Sequence, residues 1–428
     1  MNPGDIVSLA GALAITAALT RGAYGAVGLL NRHIQTRKKI RFGFEKIKTG
    51  KIPMSSPQQS AFVTMESEPD AMNLKVVARE YETLDRSICS FYLASTDGRP
   101  LPGFKPGQHV MIELPDSNPG SPIKRCYSLS EAPENSPYRY RITIKNQMFE
   151  ASQADSKNCC SAYFHNHVGV GSTVRVQRPG GNFTLDSQSD RPIVLIAGGS
   201  GITPLLSMLN SLATRRSQRE IWLFYGVRNK NSHLMYNDLG LLQSMLVNYR
   251  HVVYYSRPTQ SCRRGVDYHV DGRVEIEPIL RMLKRRDYLF YVCGPEAFND
   301  TIRDNLVNSG VPDSDINMES FGARKSNVQQ LSNRQEILTP SAGSRIKVRF
   351  ARSKIDVNWS SHVNNILELA EVNGLSPNHG CRSGQCGACQ IKLKSGTVDY
   401  TQNPSVAVAK GSCLPCVSRP KTDIILDL

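Results

Sequence analysis

The chain has 428 residues, enough for about three domains that each close a core of their own, and its composition is that of an ordinary globular protein, 40% hydrophobic and 21% charged. The formal net charge of +15 favours a negative partner such as anionic lipid, an acidic protein or a phosphorylated cofactor, and no nucleic-acid motif accompanies it. Eleven cysteines in a chain of this length, some grouped and the rest scattered, exclude a small disulfide-stapled scaffold and fit a reducing compartment.

The first element in chain order is Ile6 to Leu30, a run of apolar and small residues. As a helix it is long enough to cross a hydrocarbon layer of about 30 Å. Arg21 interrupts it past the middle, from where its side chain reaches the C-terminal interface. Arg32, Arg37, Lys38, Lys39 and Arg41 follow, which places the C-terminal side in the cytoplasm. The expectation is a single-pass transmembrane anchor over residues 1–31. A cleaved signal peptide fits less well, because MNPGD carries no basic residue; a presequence and an amphipathic surface helix are the other readings. Ala14, Ala18 and Gly22 would let another membrane helix approach closely. Residues 32–73 are basic, then polar and proline-containing, and read as a tether.

Residues 74–188 read as short strands separated by Gly, Pro, Asp and Asn turns, which predicts an antiparallel β-barrel. Within it, Arg125-Cys126-Tyr127-Ser128 is preceded by Pro106-Gly107-Gln108-His109. Here the chain resembles the ferredoxin-NADP reductase-like family, whose R-x-Y-S/T motif holds a flavin. The resemblance assigns Arg125 to the flavin phosphate through its planar fork, Tyr127 to the ring face and Ser128 to a hydrogen bond near the reactive N5. It also gives the flavin site Gln108, His109, Cys126, Thr143 and Lys145. Asn158-Cys159-Cys160-Ser161 opens a predicted helix, and Cys160 and Ser161 stand where the family binds flavin phosphates at a helix N-terminus. Cysteines replace the usual glycines there. The turn-then-helix pattern resembles FAD-type members, with FMN left open.

Residues 189–322 change character. PIVLIAGGSGITPLLSMLNSL reads as a buried strand, a glycine turn and an amphipathic helix, the opening of a dinucleotide-binding α/β unit with a mainly parallel sheet. The run from Ala197 to Pro204 resembles the nicotinamide domain of the same family, which assigns Gly198, Gly199, Gly201, Thr203 and Pro204 to cofactor binding. By the same resemblance Cys293, Gly294 and Pro295 form the pocket floor, with Cys293 close to nicotinamide C4 during hydride transfer. Cys293 and Ser128 are therefore the expected catalytic pair. Phe321, in ESFG, matches an edge near the flavin. Arg228, Ser256 and Arg257 are candidates for the cofactor's ribose end, where Ser256 and Arg257 could meet a 2′-phosphate; NADH and NADPH both stay open.

After a polar linker at 323–344, residues 345–428 suggest a hairpin, a helix ending at Gly374 and a closing strand. Between them Cys381, Cys386 and Cys389 are spaced C-x4-C-x2-C, the plant-type ferredoxin pattern for three thiolate ligands of a 2Fe-2S cluster. Cys413 and Cys416 compete for the fourth position. LPCVSRP resembles the last-ligand context of plant-type ferredoxin domains and selects Cys416. Four-cysteine zinc is disfavoured, because the segment has one C-x2-C knuckle.

The order flavin, nicotinamide, ferredoxin resembles reductases of the phthalate dioxygenase reductase type, which include those serving Rieske oxygenases, steroid hydroxylases and acyl desaturases. The fold class expected is multidomain: a flavin β-barrel, an α/β nicotinamide domain, a β-grasp ferredoxin domain and an N-terminal transmembrane helix. The resemblance implies an oxidoreductase carrying electrons from NADH or NADPH through FAD and the cluster to a redox partner, an iron-dependent oxygenase or desaturase at a membrane. Quinone reduction, a hybrid-cluster or nitric-oxide-defence reductase and a non-catalytic redox sensor are the alternatives.

Overall fold

The computed structural model describes residues 71–114 except 84, 123–133, 137–146, 160–321, and 346–428 except 361, 362, 376, 381, 383, 385, 402 and 405. The expected anchor, the tether, Cys159 and Cys381 lie outside the described residues. Among the described residues no helix is long and apolar enough to cross a membrane.

The first unit is an antiparallel sheet of β1 (Ala71–Tyr81), β2 (Ile88–Ser95), β3 (His109–Leu114), β4 (Ile123–Ser128), β5 (Arg139–Lys145) and β6 (Thr173–Gln177), in the order β4-β3-β6-β1-β2-β5. Its ends meet where Leu129 bridges Ile142 and Ser130 N–H donates to Arg141 O at 3.0 Å, so the sheet closes on itself as the sequence predicts. Leu74, Phe91, Val110, Ile112, Ile142 and Val176 fill the interior. Phe164, on α1 (Cys160–His167), packs edge-on against Phe91 at 5.3 Å and plugs one side of the barrel.

Gly107 is required by both backbone and space. Its φ is +99°, and a Cβ there would lie 2.1 Å from Phe183 O and 2.7 Å from Met208 Cε. The PGQH turn is thereby pressed against the second unit.

That second unit has six parallel strands: β7 (Ile193–Gly198), β8 (Ile221–Val227), β9 (Tyr249–Tyr255), β10 (Val270–Asp271), β11 (Leu289–Pro295) and β12 (Ile316–Phe321), in the order β10-β9-β8-β7-β11-β12. β7 is buried along its whole length, and β11 up to Gly294, because helices cover both faces. Each fully buried Val, Leu or Ile there contributes about 1.5–3 kcal/mol. On one face lie α2 (Ile202–Thr214) and α3 (Tyr236–Met245); on the other lie α4 (Ile276–Met282) and α5 (Glu296–Asn308). The chain runs outward from β7 through β8 and β9, then returns to β11 on β7's other side. The strand order reverses between β7 and β11, and ligands of open α/β sheets bind at such a crevice.

The third unit contains β13 (Lys347–Phe350), β14 (Ile355–Asn358), α6 (Ile366–Val372), β15 (Ile391–Ser395), β16 (Val398–Tyr400), β17 (Ser412–Cys413), β18 (Ser418–Pro420) and β19 (Ile424–Leu426). β13 and β14 form the expected hairpin, and β19 inserts parallel to β13 in a five-stranded mixed sheet. Asn365 caps α6 by accepting from Glu368 N–H at 2.9 Å, and Gly374 ends it at φ +80°.

Candidate redox site at the junction of three units

The residues read from the sequence converge on three neighbouring places. At the switch point of the parallel sheet, the turn after β7 meets the end of β11. A Cβ on Gly201 would stand 2.0 Å from Cys293 O, so only glycine allows this approach. Gly199 holds φ +56°, while Gly198 and Gly294 lie against the Phe298 ring. Thr203, beside Pro204 in the first turn of α2, donates its hydroxyl to Ser200 O at 3.0 Å and ties turn to helix. The cradle leaves the backbone bare, as a dinucleotide requires.

Cys293 is fully buried, and burial followed by the Glu319 carboxylate pushes its thiol pKa well up. Its thiol is a neutral packing group at the end of β11, not a thiolate. Register explains its surroundings. Cys293 pairs with Ala197 on one side and Glu319 on the other, while Pro295 pairs with Phe321. Across the junction, His109 pairs with Ser128 on β3 and β4, and its Nδ1 lies 3.4 Å from Glu319 Oε1. Ser128 is 5% exposed and its Oγ has no hydrogen-bond partner among the described residues; the same holds for Glu319 Oε2. Two orphaned buried polar atoms beside a bare glycine cradle fit the polar edges of a flavin and a nicotinamide.

Glu319 was not read from the sequence. It stands two residues before Phe321, and only the parallel pairing of β11 with β12 brings it beside Cys293.

The remaining flavin-side residues divide. Tyr127 is half-buried and set edge-on to Phe164 at 5.5 Å, and Cys160 and Ser161 are buried at the start of α1. Thr143 lies within a hydroxyl ladder, 2.8 Å from Ser90 Oγ and 3.3 Å from Ser130 Oγ, while Lys145 ends β5 opposite Ile88. Gln108 accepts from Lys105 N–H at 2.8 Å and donates to Gly181 O at 3.4 Å, bracing its own turn. Arg228, Ser256 and Arg257 are exposed and come together at the C-terminal ends of β8 and β9. Ser256 N–H donates to Val227 O at 2.9 Å and Arg257 N–H to Arg228 O at 2.8 Å, which ties the two strand ends together.

In the third unit, Cys389 Sγ and Cys416 Sγ are 3.1 Å apart within an apolar shell of Leu367, Leu414 and Val417. A Cβ on Gly380 would lie 2.7 Å from Cys386 Sγ, and Gly384 and Gly387 both hold positive φ as the loop folds round the sulfurs. The Cys416 thiol, then burial, raise the Cys389 pKa, and an iron centre is the charge that reverses such a shift. Cys389 and Cys416 are a thiol pair of the kind a thiolate-bound cluster would use, with Cys386 Sγ beside Gly380 in the same loop, while among the described residues no group of three such side chains is gathered closely enough to hold a metal ion. Cys413 belongs to the other core, with Val348 and Phe350, where burial lifts its pKa to about 12.

The cluster loop also touches the barrel. Arg125 Nη1 donates to His379 O at 2.8 Å, and the point beside Gly380 that is 2.7 Å from Cys386 Sγ is 3.5 Å from Cys126 Sγ. The R-C-Y-S strand and the cluster loop are direct neighbours. Burial, then the Arg382 cation, lower the His379 pKa to about 4, so the ring is neutral; Nε2 faces Arg382 Nη2 at 3.1 Å and Nδ1 faces Pro377 O at 3.0 Å. Arg382 is anchored by Glu371. Sequence spacing gave no sign of this contact, which crosses 254 positions.

Comparison with known proteins agrees with this geometry. Residues 195–304 match the oxidoreductase NAD-binding domain family and residues 348–421 the 2Fe-2S iron-sulfur cluster binding domain family. The chain thus joins a nicotinamide domain of the oxidoreductase class to an iron-sulfur domain. Among individual proteins, the flavohemoprotein of Bordetella pertussis is 37% identical over 248 residues, covering 58% of this chain. The chain spans about 60% of that relative's length. The structure of phthalate dioxygenase reductase, described as modular for electron transfer from pyridine nucleotides to 2Fe-2S, superposes with a TM-score of 0.51 at 26% identity, covering 84% of this chain and 98% of that one. The FAD/NAD-binding domain of nitric oxide dioxygenase from Vibrio cholerae O1 biovar El Tor gives 0.52 at 27% identity, covering 59% of this chain and all of that one.

Proposed function

We propose that the protein is an NAD(P)H-dependent iron-sulfur flavoprotein reductase that delivers single electrons to an oxygenase, hydroxylase or desaturase. The observation that carries the reading is the contact between the R-C-Y-S strand and the cluster loop, Arg125 to His379 and Cys126 to Gly380, beside the nicotinamide crevice. When bound, FAD accepts a hydride and the cluster takes electrons one at a time.

The chain's own residues position these groups. The turn from Gly198 to Gly201 admits the dinucleotide backbone, and Cys293 with Gly294 and Pro295 floors the nicotinamide pocket. Ser128, His109 and Glu319 form a buried hydrogen-bonding edge where charge changes during transfer, with Glu319 held by His109. The apolar shell around Cys389 and Cys416 keeps water from the sulfurs.

Anaerobic stopped-flow mixing of the loaded protein with NADH or NADPH tests the reading. Flavin bleaching followed by a cluster electron-spin signal, at a rate independent of protein concentration, is expected. A second phase that slows on dilution would mean that electrons pass between molecules, and would overturn the docked arrangement.

The acceptor belongs to the same proposal. A stretch over Ile6–Leu30 followed by basic residues suits a single-pass anchor with the redox domains on the cytoplasmic side, which would bring the protein to a membrane-bound oxygenase or desaturase. Retention in the membrane pellet after alkaline wash, lost on removal of residues 1–51, supports that placement; release by the wash refutes it. The flavohemoprotein identity favours a second reading, a reductase in nitric-oxide defence. That reading requires NADH-dependent nitric oxide consumption when a haem-iron acceptor is supplied.

A further inference from the structure

Helix α2 begins at the dinucleotide turn, yet its middle is bonded to the barrel. Ser207 is fully buried and donates its hydroxyl to Glu131 O at 2.8 Å. Asn210, three residues on and therefore on the same helix face, donates from Nδ2 to Ser130 O at 3.4 Å. Between them Met208 meets the PGQH turn, where a Cβ on Gly107 would lie 2.7 Å from Met208 Cε. One stretch of α2 thus holds both barrel segments that carry the flavin motifs.

The barrel side of this grip is braced by β5. Arg139 holds the Glu131 carboxylate at 2.7 and 3.2 Å. Arg141 donates from Nε to Ser130 Oγ at 2.9 Å and from Nη2 to Ser130 O at 3.2 Å, so Ser130 and Glu131 present their carbonyls to α2 from a fixed support. Arg141 also crosses the boundary, with Nη2 at 3.7 Å from Met235 Sδ. Met235 is 2% exposed and opens α3 with a left-handed backbone at φ +62°, which non-glycine residues seldom adopt. Such a conformation persists where the surroundings over-determine it.

The bonds span a short path between the two cofactor sites. Ser130 lies two residues past Ser128, and Ser207 lies four residues past Thr203, about 6 Å along the helix. Apolar contact such as that of Met208 is non-directional and permits sliding, whereas hydrogen bonds fix the rotation and depth of the helix. Hydride donor and acceptor must meet at about 3–3.5 Å, and a displacement of about 1 Å can cost roughly 100-fold in rate.

We propose that Ser207 and Asn210 are positioning residues that set the nicotinamide against the flavin ring by clamping α2 to the Ser130–Glu131 backbone. The inference rests on the reductase reading and deepens it. The two side chains act through the backbone that follows Ser128, and they set the approach of the reacting atoms more than the affinity for either cofactor.

The full-length loaded protein and its Ser207→Ala/Asn210→Ala variant are compared by anaerobic stopped flow with NADH and NADPH, by titration with NAD+ and NADP+, and by the long-wavelength charge-transfer absorbance of the reduced flavin with the oxidised nucleotide. The expected result is unchanged flavin content, a nucleotide Kd within threefold of the parent, a weaker charge-transfer band, and a flavin-reduction rate at saturating nucleotide lowered at least tenfold. A smaller fall in that rate, a parental charge-transfer band, lost flavin or a larger change in Kd would each overturn the positioning role. Should the double variant not fold, Asn210→Ala alone, at a half-buried position, is expected to show the same pattern with at least a threefold fall, and a smaller fall overturns the proposal. Failure of either nucleotide to bleach the parent's flavin would instead sink the reductase reading and this inference with it; equal bleaching of parent and variant sinks this inference alone.

Discussion

Replacing Gly201 with alanine tests the switch-point crevice directly. The added methyl would sit 2.0 Å from Cys293 O, 2.4 Å from Cys293 C and 2.7 Å from Gly294 N. These are backbone atoms in a strand buried on both faces, so no side-chain rotation relieves the overlap, and the end of β11 must move by roughly 1 Å or more to restore van der Waals separation. Overpacking of this kind costs about 3 kcal/mol, at the upper end for a buried site. For a domain of this size that lowers the melting temperature by roughly 10 °C. Gly199→Ala is the control, because a Cβ there meets nothing within 4 Å and only the left-handed φ of +56° is strained. That strain is about 1–2 kcal/mol, or roughly 5 °C. Calorimetry of the two variants beside wild type gives the comparison, and the rate of flavin reduction by NADH should fall further in Gly201→Ala, since Cys293 and Gly294 move. A Gly201→Ala protein melting no lower than Gly199→Ala would refute the close approach of the turn to β11.

Other substitutions separate the parts of the path. Cys386→Ser should abolish cluster absorbance while NAD(P)H-to-ferricyanide activity from the flavin persists; an intact cluster spectrum would remove Cys386 from the ligand set. Glu319→Gln removes a charge-assisted contact to His109, about 1.5–3 kcal/mol, and should slow flavin reduction roughly 10- to 100-fold with flavin content unchanged. A normal rate would make Glu319 a structural residue only. Burial, then neighbouring His251, lower the His233 pKa to about 3, with the ring's Nδ1 against the Tyr255 hydroxyl at 2.8 Å. Its unfolded pKa lies near 6.5, so the unfolded chain binds the proton first. Stability from this group is complete above about pH 6.5 and falls by up to about 1.4 kcal/mol per pH unit as pH drops toward 3. Urea titrations between pH 7 and 4 should show that slope reduced in His233→Gln, and an unchanged slope would place the acid sensitivity elsewhere.

Much of this molecule was legible locally. The C-x4-C-x2-C spacing, the glycine turn after an all-apolar strand and the R-C-Y-S strand are short-range patterns, because a cluster loop, a phosphate turn and a strand edge are each built by neighbouring residues. The LPCVSRP text is likewise local and points to Cys416 rather than Cys413, and the two side chains lie in different cores. What the sequence alone could not reveal depends on register and docking. Glu319 reaches Cys293 only through parallel pairing of β11 with β12, and His109 reaches Glu319 only across the junction between barrel and sheet. Arg125, whose expected role is phosphate binding, also holds the carbonyl of His379, a contact no periodicity encodes. Local chemistry fixes which groups a segment can hold, since it acts through bonds and adjacent atoms. Which of those groups face one another is decided by burial of apolar surfaces between distant segments, and that is a property of the tertiary structure.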